Sequence, residues 1–427
     1  MKFIEDSFWN FLSLIVPSIA SVIITSLIGR ALPVGDFGIY SYLMRIINMV
    51  TFPLISLAMF CFSFGFQKDE RERPKLLSSL LLVLTVLSSG LFLATVPFAS
   101  IIAPVDLTSL SIFIIGLGLF VPYVIKGALT EALNGLFEFR GRFLVELARA
   151  ASLLVIIGLL WAKRQLNLSS LFLAIYGALF FSILAGIYLL RSYLQFQSAF
   201  QAAERWQVFK RVWALARFFL IATILNSFLA FWVMFLLGRY WGSESLGIFS
   251  YSYFISFVIS TVASAFANTL LPYSAKSDSR GIGDYLWAAT FTLVYLILPL
   301  VFIIALFPNV LMGILFGRTV IGSSEHVALV ALALAYLLKA IAGNFGTVLN
   351  GLGYTRDTLK IATITTIEQF TLGTWLVLHF SVEGAAWALL IVHFLQLMLS
   401  YRYISKAGVP KQFYTPAKLA RLVIQRL

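Results

Sequence analysis

Five basic residues lie inside stretches of the sequence that are otherwise apolar: Arg45, Lys126, Arg149, Arg217 and Lys339. A charged group at the centre of a membrane-spanning helix costs about 2.5 to 3.5 kcal/mol on insertion scales, so such a residue usually faces a cavity or a partner. Ammonium groups bind phosphate oxygens as point charges, and guanidinium groups bind them bidentately. The pattern therefore predicts a path that binds an anionic ligand.

The five positions also allow a structural interpretation. Arg149 and Arg217 lie near predicted cytoplasmic helix ends, where long side chains can reach the membrane interface. Arg149 also stands one helical turn from Glu146, with which it can pair. Lys126 lies about two turns from its helix end, and Lys339 and Arg45 lie deeper. These three residues favour the ligand-binding interpretation more strongly.

Glu368 is the acidic residue predicted to lie near the middle of a helix, and no basic residue stands three or four positions from it. Its partner must then come from another helix, and we expect Lys339 to pair with it in one state of the protein and to leave it in the other. A permanent structural ion pair between the two residues is the alternative. An anion that competes for Lys339 would release Glu368 to take up a proton. Glu368 is therefore the candidate for ion coupling.

Signals for catalysis are weak. The three histidines, His326, His379 and His393, do not have metal-ligand spacing, and we expect interfacial or core roles for them. No G-x-x-x-x-G-K-[ST] phosphate loop occurs, and no Ser-His-Asp arrangement suggests itself at one membrane surface. The sequence predicts a protein that is not an enzyme and that has no cofactor and no metal.

The elements that must position these residues are transmembrane helices. The 427 residues are 60% hydrophobic and 11% charged, with a mean hydropathy of +0.95, whereas soluble domains are about a quarter charged. The apolar blocks are about twenty residues long, which fits helices rather than barrel strands. We predict an all-α polytopic membrane protein whose first apolar run is retained as a helix. The twelve predicted spans are 9–29, 39–64, 76–98, 109–132, 143–162, 170–190, 212–237, 247–272, 286–307, 324–349, 361–380 and 384–403.

Loop charges predict the orientation. If the N-terminus is cytoplasmic, the inner segments hold 21 Lys or Arg and the outer segments hold five. This asymmetry follows the positive-inside rule and predicts that both termini are cytoplasmic. The net charge of +13 is then explained by loop orientation and contact with anionic membrane lipids, and no nucleic-acid partner is needed.

The loops also predict the domain organisation. We expect an N-terminal lobe over 1–190, a cytoplasmic linker over 191–211 with an amphipathic stretch near 200–209, a C-terminal lobe over 212–403, and a basic cytoplasmic tail over 404–427. No loop is long enough for a catalytic or nucleotide-binding domain.

Two motifs occur twice in the same order. Gly29-Arg30, with Gly38-Ile39-Tyr40 after it, matches Gly238-Arg239, with Gly247-Ile248-Phe249 after it, at an offset of 209. Leu133-Asn134-Gly135-Leu136 matches Leu349-Asn350-Gly351-Leu352 at an offset of 216. Six helices separate equivalent points, so the two halves should insert in the same orientation and be related by an axis along the membrane normal, with the substrate bound between them.

The turn Gly29-Arg30-Ala31-Leu32 with Phe37-Gly38-Ile39-Tyr40, together with the two Asn-Gly turns, resembles polysaccharide-export proteins of the Wzx type in the multidrug/oligosaccharidyl-lipid/polysaccharide exporter superfamily. The twelve-helix count and the length agree with this resemblance over the whole chain. The resemblance implies two six-helix lobes around a central cavity that opens alternately to either side of the bacterial inner membrane. It implies ATP-independent transport of an undecaprenyl-pyrophosphate-linked O-antigen or related unit, with other polysaccharide-assembly proteins as partners.

Two other functions compete with this one. A drug or metabolite antiporter of the same fold should place acidic residues in its cavity when its cargo is cationic, whereas the deep charges here are mostly basic. A membrane glycan polymerase or ligase should carry a large outer loop, and the outer loops here are short. The charges therefore favour a lipid-linked anionic oligosaccharide as the cargo.

Overall fold

The computed structural model describes residues 2–65, 73–104, 110–136, 138–194, 202–276, 281–317 and 322–410. All regular structure in these ranges is helical, as the sequence predicts. The chain divides into two compact units, Met1–Ser227 and Phe228–Leu427, with the division inside α9. The lobe and linker boundaries at 190 and 212 stay predictions.

The first unit contains α1 to α8 and the beginning of α9. These helices are α1 (Lys2–Ala31), α2 (Val34–Gly65), α3 (Arg73–Thr95), α4 (Ala99–Ile102), α5 (Leu110–Leu117), α6 (Phe120–Gly135), α7 (Phe139–Ala162), α8 (Leu168–Leu190) and α9 (Ala202–Tyr240). A short 3-10 turn, Val96–Phe98, leads into α4. The backbone from Ala202 to Tyr240 forms one continuous helix, so the predicted amphipathic stretch and the seventh span share an element.

The second unit contains the rest of α9 and α10 to α15. These helices are α10 (Gly242–Lys276), α11 (Ile282–Leu306), α12 (Pro308–Phe316), α13 (Ser323–Gly351), α14 (Thr355–Glu368) and α15 (Thr374–Lys406). A π-helical turn, Gln369–Gly373, joins α14 to α15.

Nine helical stretches in the described ranges are long and apolar enough to cross a membrane. One of them, Thr355–Lys406, has 52 residues, or about 78 Å of helix, whereas a hydrocarbon core is about 30 Å thick. Ser381, with φ 49° and ψ −125°, interrupts α15, and α14 packs against α15, so this stretch holds two spans. With α1 and α10, the helices account for all twelve predicted spans, and the polytopic all-α fold is confirmed.

The exterior of the helices is apolar. Large side chains such as Leu93, Phe181, Phe302 and Leu306 are more than half exposed, whereas Phe37, Phe113 and Phe172 are fully buried between helices. Exposed apolar surface of this extent is expected where helices face lipid. The chain is therefore a multi-pass membrane protein.

The internal repeat is visible in the backbone. After α6, Leu136 N–H donates to Ala132 O at 3.0 Å and Glu138 N–H donates to Leu133 O at 2.9 Å. After α13, Leu352 N–H donates to Val348 O at 2.9 Å and Tyr354 N–H donates to Leu349 O at 2.8 Å. Each bond recurs 216 residues later, at the offset that the Asn-Gly motif predicts.

The two hydrophobic cores repeat in the same register. The core of the first unit contains Ala132, Leu133 and Val145, and the core of the second contains Val348, Leu349 and Ile361, each 216 residues further on. In both units, therefore, the helix before the Asn-Gly turn and the helix after it bury equivalent positions.

Candidate functional site

The first unit brings two of the predicted ligand-binding residues together. Lys126 on α6 donates a hydrogen bond from Nζ to Oε1 of Glu146 on α7. Arg149 donates from Nε to Oε2 of the same carboxylate at 3.4 Å, which is the pair predicted from their spacing. One carboxylate thus links cations from two helices.

A third cation adds to this group. Arg142, four residues before Glu146 on α7, lies within electrostatic range of Lys126 and Glu146. Its Nε is buried and has no hydrogen-bond partner among the described residues. We call Lys126, Arg142, Glu146 and Arg149 the basic cluster, since it holds three cationic side chains and one carboxylate.

The basic cluster is enclosed but reachable. The side chains of Lys126, Glu146 and Arg149 are 13%, 14% and 22% exposed. The partly buried rings of Tyr40 on α2 and Tyr123 on α6 lie within electrostatic range of Arg149. Polar groups from α2, α6 and α7 therefore converge on one region.

Helix geometry explains why Lys126 and Glu146 meet. Lys126 stands nine residues before the end of α6 and Glu146 seven residues after the start of α7, which places them about 13 Å and about 10 Å from the connecting turn. The two helices are consecutive and joined by a short turn, so residues at similar distance from it can touch. Arg149 is about 15 Å from this end, deeper than predicted, because α7 begins at Phe139 rather than at 143.

The other two predicted residues of this unit lie elsewhere. Arg45 is partly buried on α2, and none of the hydrogen bonds or ion pairs of Lys126, Glu146 and Arg149 in the described chain involves it. Arg217 is exposed, stands at the start of the apolar stretch Arg217–Tyr240, and has its guanidinium 4.8 Å from the ring centroid of Phe218. This placement of Arg217 fits the interfacial interpretation.

Lys339 has different surroundings in the second unit. Its Nζ lies 5.2 Å from the ring centroid of Tyr336 on the same helix, α13. It is also within electrostatic range of His393, a buried residue of α15 whose Nδ1 is 3.1 Å from Oε1 of Gln396. Lys339 therefore faces α15.

The expected pair of Lys339 and Glu368 is not formed in this structure. Both carboxylate oxygens of Glu368 are buried without a hydrogen-bond partner among the described residues. Helix α13, which carries Lys339, packs mainly along α15 and α10 rather than along α14, which ends at Glu368. A pair that forms in one state of the protein and separates in the other stays a prediction.

The π-helical turn begins directly after Glu368. The neighbouring Gln369 is 1% exposed, and both atoms of its side-chain amide lack a hydrogen-bond partner in the described chain. π-helical turns within helices are frequent at functional sites. Two adjacent side chains therefore present polar atoms that the described residues leave unsatisfied.

Sequence reasoning missed Arg142 and the linking role of Glu146. The predicted span 143–162 leaves Arg142 outside the helix, whereas Arg142 lies inside α7. The helical spacing 142, 146 and 149 places all three on one side of a helix, and this signal was present in the sequence.

Comparison with known proteins identifies solved structures that share the fold of this chain. No protein-family model matches the chain, and no curated protein sequence matches it. Solved structures do match. An inward-facing multidrug-resistance MATE family transporter of the MOP superfamily superimposes with a TM-score of 0.74 at 13% identity, covering 93% of this chain and 99% of that one. The lipid II flippase MurJ, in an inward closed conformation, gives 0.71 at 13% identity, covering 99% and 90%.

A third structure is a MOP superfamily transporter from Pyrococcus furiosus with a binding pocket of reverse polarity. It gives a TM-score of 0.67 at 13% identity and covers 95% of this chain and 96% of that one. The three similarities each extend over nearly the whole chain. This chain therefore has the fold of the MOP superfamily transporters.

Proposed function

We propose that this chain is a flippase that moves an undecaprenyl-pyrophosphate-linked oligosaccharide, an O-antigen or related repeat unit, from the cytoplasmic to the periplasmic face of the inner membrane by alternating access. The observation that carries the proposal is the basic cluster, in which three cations surround one carboxylate. An excess of positive charge at a partly accessible depth favours an anionic headgroup over a neutral or cationic cargo.

Each basic residue has a proposed role. Lys126 and Arg149 bind the diphosphate, with Lys126 acting as a point charge and Arg149 as a fork of donors. The cluster lies toward the end of α6 and α7 that is predicted to be cytoplasmic, where the cargo would enter. Arg45, Arg217 and Lys339 would contact the headgroup at other stages.

Glu368 is the residue that we assign to ion coupling. Its two buried oxygens are available to a proton or a cation, because the described residues do not occupy them. Uptake there would supply the driving force for transport without ATP.

The structural neighbours support transport of this kind. A lipid II flippase shares the fold over 99% of this chain. The same fold also occurs in multidrug transporters, so an antiporter is the second candidate. The unpartnered carboxylate of Glu368 is the observation that favours it, since a cationic drug would bind an acidic residue.

The test is an analysis of lipid-linked intermediates in membranes of cells that lack this protein. A flippase predicts accumulation of the lipid-linked repeat unit on the cytoplasmic face. Accumulation on the periplasmic face would indicate a polymerase or ligase. Unchanged intermediates together with drug sensitivity would indicate an antiporter.

A further inference from the structure

The position of Glu146 suggests more than a structural ion pair. Its two oxygens accept hydrogen bonds from the ammonium of Lys126 and the guanidinium of Arg149, so the carboxylate occupies the point where cations from α6 and α7 converge. Lysine and arginine donate to phosphate oxygens as they do to carboxylate oxygens. A phosphate group that bound these cations would need the position that Glu146 holds.

We infer that Glu146 is an internal anion that a diphosphate headgroup displaces, and that the cost of displacing it leaves the basic cluster with net binding of diphosphates but not of monophosphates. The inference rests on the proposed function and deepens it, because it names the headgroup chemistry that the cluster accepts.

Charge explains the selectivity. A singly charged phosphodiester that replaces Glu146 exchanges one negative charge for another and gains little. A diphosphate diester carries one more negative charge, and the two cations that Glu146 releases, Lys126 and Arg149, can receive it. The additional attraction is available only to the diphosphate.

The displaced carboxylate has a second partner. Arg142 stands four residues before Glu146 on α7, one helical turn away, and its Nε has no hydrogen-bond partner in the described chain. An i,i+4 pair with the cation on the N-terminal side is the weaker orientation, so Glu146 rests on Lys126 and moves to Arg142 when the diphosphate arrives. Both positions keep the carboxylate next to a cation.

The experiment measures binding of inorganic pyrophosphate and orthophosphate to the purified full chain in lipid nanodiscs by calorimetry. Glu146→Gln removes the competing charge and keeps the side-chain size. We expect it to bind both anions about tenfold more tightly or better, so that orthophosphate, which gains little in the unmodified protein, also binds measurably. Glu131→Gln is the matched control, because Glu131 is a carboxylate on α6 that pairs with Asn134 outside the cluster, and its affinities should equal those of the unmodified protein.

Unchanged or weaker binding by Glu146→Gln would overturn the inference. If that variant does not fold, Glu146→Asp provides the test. The shorter carboxylate side chain retreats from Lys126, so this variant should also bind pyrophosphate more tightly than the unmodified protein. Weaker binding by Glu146→Asp would count against the competition. Repeating the measurement with undecaprenyl pyrophosphate in the nanodiscs separates a lipid headgroup from the free anion as the ligand.

The outcomes separate this inference from the proposed function. Tighter pyrophosphate binding by Glu146→Gln, in a protein whose loss leaves lipid-linked intermediates unchanged, would retain the anion site and reject the flippase. Cytoplasmic accumulation of intermediates with no effect of Glu146→Gln would retain the flippase and reject the competing role of Glu146.

Discussion

Lys126 and Lys339 stand on related helices of the two units and meet different partners. Lys126 donates to a carboxylate, whereas Lys339 lies over the ring of Tyr336 and near buried His393. A carboxylate neutralises a cation, and an aromatic face stabilises it without removing its charge. An anion that binds Lys126 must therefore compete with the carboxylate of Glu146.

Removal of the cations in the basic cluster should impair export. We expect Lys126→Ala and Arg149→Ala to reduce surface glycan strongly at matched protein levels, and Lys126→Ala to lower the free energy of unfolding by about 1 to 3 kcal/mol because Glu146 loses a partner. Lys163→Ala is the control, since Lys163 is an exposed cation directly after α7 with no proposed role in binding. Full export by both cluster variants would contradict a cationic path.

Substitution of Lys339 and Glu368 tests whether they are coupled. These residues do not pair in this structure, so the stability effects of Lys339→Met and Glu368→Gln should add in the double variant. We expect Glu368→Gln to fold and to lose coupled transport, and the double variant to stay inactive. An active double variant would show that the two residues serve only to neutralise each other.

At the scale of elements, the turn inside α15 separates the last two spans. Ser381 adopts a positive φ, and a Cβ on Gly384 would clash with the backbone carbonyl oxygen of Leu376. A side chain at position 384 cannot be accommodated by rotamer change, because the obstacle is backbone. The absence of a side chain therefore allows the chain to form two spans here.

Gly384→Ala should destabilise the protein by about 3 kcal/mol or more, since the turn must open to relieve the clash. Gly158→Ala is the matched control, because a Cβ at this helical glycine of α7 meets nothing within 4 Å. It should be neutral or stabilising by up to about 1 kcal/mol. Thermal unfolding in detergent measures both variants, and equal melting temperatures would disagree with the tight turn.

Element boundaries show how far the sequence could predict this site. Apolar runs of twenty residues specify helices almost by themselves, so the twelve spans were predictable. Arg140 and Arg142 lower the hydropathy at the start of α7, which shifted its predicted boundary inward and hid Arg142 from the site. The direction of Lys339 depends on how α13 rotates against α15, and hydropathy contains no information on that rotation.

At the scale of the whole molecule, the helix count and the charge asymmetry predict one orientation. Reporter fusions placed after Gln165 and Gly242, which follow α7 and α9, should be periplasmic. Fusions after Arg191 and Gly353, which follow α8 and α13, should be cytoplasmic. If two neighbouring fusions both report the side opposite to the predicted one, a pair of spans must be removed from the topology. An odd total number of spans would overturn the predicted topology.

The contact between Lys126 and Glu146 also bears on how the protein is made. The two charges are 20 residues apart on consecutive helices, and each alone would oppose partition of its helix from the translocon into lipid by about 2.5 to 3.5 kcal/mol. If α6 and α7 leave the translocon together as a hairpin, the charges enter the bilayer already paired. We expect Glu146→Lys to reduce membrane insertion of both α6 and α7 in a glycosylation-mapping assay, although the substitution lies outside α6. The double variant Glu146→Lys with Lys126→Glu should restore insertion of both helices.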